Sequence, residues 1–186
     1  MVMIVNKCRR LGLGEGGFYQ PRFRDGASLH LEMMCLGKNW DCEACRYGET
    51  RPVDGSFPPQ IPAEFSHLVR KAIEESQSLM ASKKLKVDDG IPFMSPDICI
   101  VNFYTTTGRL GLHQASAQFH KAQRTKREDE KAEKVALESG DVLLYGGRSR
   151  NVIHGVRSIL KDTAPKVLVQ ETNLRPGRLN LTLRQC

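Results

Sequence analysis

The chain has 186 residues, of which 40% are hydrophobic and 26% charged, and its formal net charge is +7 at neutral pH. This length suits one domain with a substantial core, and the composition is ordinary for a globular protein. No apolar run reaches the roughly 20 residues that a membrane helix needs, and residues 1–8 lack the charge order of a secretory signal. These features predict a monomer in the cytoplasm and/or nucleus with no membrane partner, while the positive charge favours a polyanionic partner.

The first third of the chain is predicted to be mostly extended or loop structure. Residues 1–30 are rich in glycine and arginine and lack sustained periodicity, which favours loops with a strand near 18–23. A short apolar strand is predicted at 29–35. Trp40 and Tyr47 follow it, and on their own they are expected to be aromatic anchors of a loop.

The cysteines are expected to be thiols, because disulfides are rare inside cells. Cys42 and Cys45 have CxxC spacing, with Cys35 upstream. A tetrahedral zinc site would need a fourth ligand such as His30 or His67. Surface thiols are the default expectation, and a zinc site is the alternative.

One long helix is predicted in the middle of the chain. Pro62 suits a first helical turn, and apolar residues recur at helical spacing after it. The recurring set is Phe65, Leu68, Val69, Ala72, Ile73, Leu79 and Met80. We expect this helix to cover the back of a sheet.

Two predicted strands, 97–104 and 178–184, carry polar side chains on one face, because successive residues of a strand point to opposite faces. The polar faces hold Asn102 and Tyr104 on the first strand, and Arg178, Asn180, Thr182 and Arg184 on the second. Two guanidinium groups on one face repel each other unless an anion lies between them, and a dicarboxylate suits their forked geometry. The alternative is a half-exposed strand whose outer residues meet solvent.

Two histidines follow predicted strand regions. His113 comes after the loop 105–112, and His154 comes after a predicted apolar strand at 142–145. A lone histidine beside a strand is more often structural than a metal ligand. A further strand is predicted at 166–172.

Taken together, these phrases resemble the AlkB family of Fe(II)- and 2-oxoglutarate-dependent dioxygenases, which oxidatively remove alkyl groups from nucleic-acid bases. The likeness is carried by the phrases 101–104, 108–114 and 178–185 and extends from about Gly16 to the C-terminus. It implies an α+β, mainly β fold with a double-stranded β-helix (jelly-roll) core and a flanking N-terminal helix, with central strands missing.

The resemblance also implies two regions that form a single structural unit. Residues 1–60 would be an N-terminal extension with a nucleotide-recognition lid, and residues 61–186 would be the dioxygenase domain. Trp40 and Tyr47 occupy the positions of the lid that holds the target base, where aromatic stacking is worth roughly 1–3 kcal/mol per base.

The cofactors implied by the resemblance are Fe(II) and 2-oxoglutarate. His113 and His154 would bind the iron. Carboxylates of 2-oxoglutarate would be bound by Arg178 and Arg184, assisted by Asn102, Tyr104 and Asn180. The implied activity is oxidative demethylation of N-alkylated bases in DNA or RNA, so the expected partner is nucleic acid.

The sequence departs from the family pattern directly after His113. The family pattern is His-x-Asp, because two histidines and one carboxylate hold the iron, whereas this chain has Ala115 at the carboxylate position. Residues 116–127 have no likeness to the family, which indicates that an internal segment was lost or replaced. His120 or Glu128 could supply a third ligand, although nothing in their spacing indicates it.

Alanine cannot coordinate a metal, so several interpretations remain open. The chain is an impaired demethylase, a catalytically inactive nucleic-acid-binding or regulatory module, or a polypeptide that does not fold stably. A His-x-Ala iron site also resembles that of the iron halogenases, but the surrounding phrases are those of a demethylase.

Overall fold

The computed structural model describes residues 1–22, 26–41, 43–84, 90–113 and 133–185. The helices of this part are α1 (Val2–Gly12), α2 (Ala63–Ser82) and α3 (Lys166–Thr172), with a 3-10 turn at Gly147–Asn151. The strands are β1 (Glu32–Leu36), β2 (Asn39–Asp41), β3 (Arg46–Gly48), β4 (Ile98–Tyr104), β5 (Leu110–His113), β6 (His154–Val156) and β7 (Arg178–Arg184). The segment predicted to be lost or replaced lies largely outside the described residues. Within these ranges, no helix is long and apolar enough to cross a lipid bilayer.

Three antiparallel strands form the main sheet, in the order β1–β4–β7. The predicted strands at 97–104 and 178–184 are confirmed as β4 and β7. Their register pairs Asn102 with Asn180 and Tyr104 with Arg178. Because β1 also pairs with β4, residues from before and after position 60 build one sheet.

The back face of this sheet is apolar and is covered by helices, as the alternation of β7 predicts. Phe65 of α2 and Cys8 of α1 are buried there with Met34, Leu36, Cys99 and Val101. The leucines of β7, at 179, 181 and 183, pack against this cluster. Burial of such side chains contributes about 1.5–3 kcal/mol each, so this face supplies much of the stability of the sheet.

The front face of the sheet holds a second apolar cluster, over which the small two-stranded sheets lie. Its buried members are Leu29, Leu31, Met33, Cys35, Trp40, Ile98, Ile100 and Tyr104. Leu110 of β5 and Val156 of β6 pack against it, as does Tyr47 of β3. The β5–β6 pair and the β2–β3 hairpin (residues 39–48) are therefore both positioned against the polar face of β4 and β7.

The N-terminal residues form a helix, so the loop prediction for residues 1–12 is wrong. Val5 and Cys8 are buried on one side of α1, with Ile4 and Leu11 partly buried beside them. This spacing is helical, and the glycine-rich stretch begins only at Gly12. From 18 onward the chain is extended as predicted, with an isolated bridge between Tyr19 and Met33.

Two strand predictions in the C-terminal part are also wrong. Residues 142–145 form no strand, and Val142 and Leu143 are 56% and 65% exposed. A strand needs a hydrogen-bonding neighbour, and no described strand pairs with this segment. Residues 166–172 form α3, which begins after Pro165 and contacts α1, where Nη1 of Arg9 donates to the Thr172 carbonyl at 2.9 Å.

Two smaller predictions also need correction. Leu79, predicted on the buried face of the long helix, is exposed near the end of α2. Cys35 is not a surface thiol, because it is buried and its Sγ accepts a hydrogen bond from the Trp40 amide at 3.3 Å. Cys45 is half-buried, and Cys42 lies outside the described residues.

Candidate active site

A row of hydrogen-bonding side chains runs along the front face of β7. Nη2 of Arg178 donates to Oδ1 of Asn180 at 3.1 Å, and Nδ2 of Asn180 donates to Oγ1 of Thr182 at 3.2 Å. The guanidinium of Arg178 also lies 5.9 Å from the centre of the Tyr104 ring on β4. These contacts fix the row in one arrangement before any ligand is present. Thr182 was placed on this face by its alternation but was given no role.

The charge of this row is not neutralised within the described part of the chain. No described carboxylate forms an ion pair with Arg178 or Arg184. By contrast, Arg175 is paired with Glu32, and Arg51 is paired with Asp54. Two partly buried guanidinium groups on one face therefore form a site suited to an anion.

Asn102 and Tyr104 add two buried polar groups opposite this row. Oδ1 of Asn102 is buried and, among the described residues, lacks a hydrogen-bond partner. Such an atom is costly to leave unpaired, and reorienting the amide would place an N–H group there instead. Burial raises the pKa of Tyr104 to about 12, so its hydroxyl stays protonated as a donor. These groups fit a ligand with carboxylate and carbonyl oxygens, such as 2-oxoglutarate.

The two predicted histidines lie together. His113 at the end of β5 is paired with His154 at the start of β6, and their ring centroids are 4.5 Å apart. The ring of Tyr145 lies 5.5 Å from that of His154, a contact that no pattern in the sequence indicates.

Both imidazoles are held in the same tautomer by their own strands. Nδ1 of His113 donates to the Gly111 carbonyl at 2.9 Å, and Nδ1 of His154 donates to the Val152 carbonyl at 3.0 Å. Since a carbonyl can only accept, each ring carries its proton on Nδ1 and presents a lone pair at Nε2. Metal-binding histidines are typically oriented in this way.

The electrostatic surroundings of His113 also favour a neutral ring. Burial lowers the pKa of His113, and the nearby charges of His154 and Arg184 lower it further. A neutral imidazole is the form that coordinates metals. The effect of Arg184 on His113 also means that the histidine pair lies close to one end of the polar row.

The residues present fit an iron ion through two ligands. Among the described residues, no three side chains of histidine, cysteine, aspartate or glutamate are grouped so as to hold a metal. The zinc alternative for the cysteines therefore has no support in that part of the chain. The position of the expected third iron ligand, Ala115, lies outside the described residues.

The predicted lid residues lie on the β2–β3 hairpin, where Trp40 is paired with Tyr47 and their ring centroids are 4.8 Å apart. Trp40 is only 8% exposed, so in this conformation its ring packs on the core. Nη1 of Arg184 donates to the Tyr47 hydroxyl oxygen at 2.8 Å. This contact between the hairpin and the polar row was not predicted from the sequence.

Comparisons with known proteins agree with this geometry. A family profile described as the 2OG-Fe(II) oxygenase superfamily matches residues 3–121 and 115–184. The chain belongs to this superfamily of iron- and 2-oxoglutarate-dependent oxygenases.

Within the superfamily, the chain is similar to AlkB-type proteins. It is 64% identical to the DNA N(6)-methyladenine demethylase ALKBH1C of Arabidopsis thaliana, over 99% of this chain and 45% of that protein. It is 26% identical to the alpha-ketoglutarate-dependent dioxygenase AlkB of Escherichia coli, over 68% of this chain and 56% of that protein. The solved structure of OsALKBH1 matches with a TM-score of 0.88 and 47% identity, covering 100% of this chain and 91% of that one.

The match to a solved structure confirms the predicted fold, which is α+β, mainly β, with a double-stranded β-helix core. The chain spans about half the length of the curated relatives named above. The alignment with ALKBH1C extends over 205 positions, which is more than the 186 residues of this chain. That relative therefore contains residues with no counterpart here.

Proposed function

We propose that this chain is the oxygenase portion of a nucleic-acid demethylase, which uses Fe(II), O2 and 2-oxoglutarate to demethylate N-alkylated bases in DNA or RNA. The observation that carries the proposal is the proximity of two Nε2-presenting histidines to an uncompensated row of cations and amides. We further propose that the protein acts as a monomer in the cytoplasm and/or nucleus.

In this proposal, His113 and His154 hold the iron through Nε2, while the backbone carbonyls of their own strands keep both rings in register. Arg178 and Arg184 bind the carboxylates of 2-oxoglutarate, and Asn102, Tyr104 and Asn180 donate to its remaining oxygens. Bound iron with O2 and 2-oxoglutarate supplies the oxidising power that hydroxylates an N-methyl group, which is then lost as formaldehyde. The protein contributes positioning and electrostatics.

The proposed nucleic-acid partner is supported by charge and by relatives. The net charge of +7 favours a polyanion, and ALKBH1C carries the name of a DNA demethylase. Trp40 and Tyr47 are proposed to hold the target base, which requires the hairpin to move, because Trp40 is buried in the present conformation.

A second candidate function is favoured by Ala115. Without the carboxylate ligand, the chain would retain its basic surface and its aromatic hairpin but bind iron weakly. It would then be a non-catalytic nucleic-acid-binding or regulatory module.

Anaerobic titration of the purified protein with Fe(II) and 2-oxoglutarate separates the two candidates. The catalytic proposal expects the visible charge-transfer band between iron and 2-oxoglutarate, and then formaldehyde release from methylated oligonucleotides. Absence of the band, together with salt-sensitive oligonucleotide binding that needs no metal, would favour the binding module instead.

A further inference from the structure

The β2–β3 hairpin is hydrogen-bonded to the end of the polar row. Arg184 donates through Nη1 to Oη of Tyr47 at 2.8 Å, across 137 positions of sequence. A guanidinium has donors only, so the phenolic oxygen must be the acceptor. In the described part of the chain, Arg184 has no other side-chain hydrogen bond.

We propose that Tyr47 is a positioning residue that orients the Arg184 guanidinium for a carboxylate and couples binding of that carboxylate to closure of the hairpin. The inference rests on the proposed function, since it assigns the carboxylate to 2-oxoglutarate and the hairpin to the nucleic-acid side of the site.

The geometry of a guanidinium explains the orienting role. Its five N–H donors lie in one plane, so a hydrogen bond to one Nη1 proton fixes that plane. The donors on the other edges then remain directed at a carboxylate. A side chain that is already oriented loses less conformational freedom when the ligand binds, which strengthens binding.

The construction of the hairpin explains the coupling. The β2–β3 pair forms a sheet of its own, which is not hydrogen-bonded into the β1–β4–β7 sheet. Its turn is held by Oδ1 of Asp41, which accepts from the amides of Glu43 and Ala44 at 2.9 Å each. The hairpin can therefore move as a unit, and the Tyr47–Arg184 bond ties that unit to the polar row.

Linkage requires the coupling to act in both directions. A carboxylate that immobilises Arg184 also holds Tyr47, and with it Trp40 across the hairpin. A closed hairpin conversely tightens the hold on the carboxylate. A single hydrogen bond of ordinary net strength corresponds to about a five-fold effect on affinity.

Trp40 provides a direct optical signal because it is the only tryptophan in the sequence. We would titrate 2-oxoglutarate into the Mn(II)-loaded protein without oxygen, recording binding heat and tryptophan emission in parallel. Wild type would be compared with Tyr47→Phe, which removes only the hydroxyl. Tyr19→Phe is the matched control, because Tyr19 also packs against an arginine, Arg51, but away from the polar row.

The expected result is a change in Trp40 emission that saturates together with the binding heat in wild type and in Tyr19→Phe. Tyr47→Phe should bind 2-oxoglutarate about five-fold more weakly and lose the emission change. Binding heat in wild type without an emission change, or a wild-type response in Tyr47→Phe, would overturn the coupling and leave the cosubstrate site intact. Absence of binding heat in wild type would overturn the proposed cosubstrate site itself.

Discussion

Asn102 lies opposite Asn180 across the β4–β7 ladder, yet the two amides are in different hydrogen-bonding states. Asn180 accepts from Arg178 and donates to Thr182, whereas Oδ1 of Asn102 is buried without a partner among the described residues. One strand therefore holds a satisfied amide, and the other holds an amide prepared for a ligand.

This asymmetry predicts opposite effects of the same substitution at the two positions. Asn102→Leu removes an unpaired buried acceptor, so the free energy of unfolding of the ligand-free protein should rise by about 1 kcal/mol. Affinity for 2-oxoglutarate should fall about ten-fold, which corresponds to one lost hydrogen bond to a charged group. Denaturant unfolding and calorimetric titration measure the two quantities.

Asn180→Leu is the matched control, because it breaks two existing hydrogen bonds and should lower the free energy of unfolding. If both variants moved stability in the same direction, the assignment of Asn102 as an unsatisfied group would be wrong.

Arg51 is predicted to be a structural anchor for the segment before the sheet. Its Nη1 donates to the Gly17 carbonyl at 2.7 Å, its guanidinium lies 4.4 Å from the Tyr19 ring centre, and Asp54 accepts from Nε and Nη2. Arg51→Ala should lower the free energy of unfolding by about 2–3 kcal/mol, since a buried hydrogen bond and a cation–π contact are lost. Thermal unfolding measures the change.

The same contact predicts a dependence on pH. Hydrogen bonds from Arg51 lower the pKa of Asp54 below its ordinary value. A carboxyl group whose pKa is lower in the folded state stabilises the fold above its unfolded pKa, and that contribution is lost as the pH falls through the folded pKa. The difference between wild type and Arg51→Ala should therefore shrink in acid. Asp54→Asn, which alters only the exposed partner, should reduce stability much less at neutral pH.

Three of the four described cysteines should resist alkylation in the folded protein. Cys8, Cys35 and Cys99 are buried, and burial raises the pKa of Cys8 to about 12 and that of Cys35 to about 11. The thiolate is the reactive form, so at mildly alkaline pH these thiols should react only when the structure opens. Cys45, which is half-buried, should react first.

Timed labelling with iodoacetamide, followed by peptide mass spectrometry, would test this order, and the denatured protein serves as the reference for intrinsic reactivity. Rapid labelling of Cys35 in the native state would contradict its placement beneath Trp40.

Local alternation allowed the polar row of β7 and the leucines behind it to be predicted, because a strand sorts its side chains by position alone. The same logic failed at 142–145, since an apolar run becomes a strand only beside a partner. Helix α1 was missed because its glycine-rich continuation outweighed the helical spacing of Ile4, Cys8 and Leu11. No local pattern could indicate the bond between Tyr47 and Arg184, because the fold alone brings them together.

The substitution Ala115→Asp is predicted to raise metal affinity if the histidine pair is an iron site. His113 and His154 present two nitrogen ligands, and a carboxylate two positions after His113 would complete the set that holds iron in two-histidine, one-carboxylate sites. We expect Fe(II) affinity to rise about ten-fold or more, equivalent to at least 1.4 kcal/mol. Anaerobic calorimetry with Fe(II), or absorption spectroscopy with Co(II) as a probe, measures this change.

Two controls make the result specific. Ala115→Asn has a similar shape but no charge, and should recover little of the affinity, while His154→Ala in the Ala115→Asp background should remove most of the gain. Equal affinity in the wild type and in Ala115→Asp would mean that residue 115 does not reach the metal, so that the altered segment after His113, and not the missing carboxylate, limits iron binding in this chain.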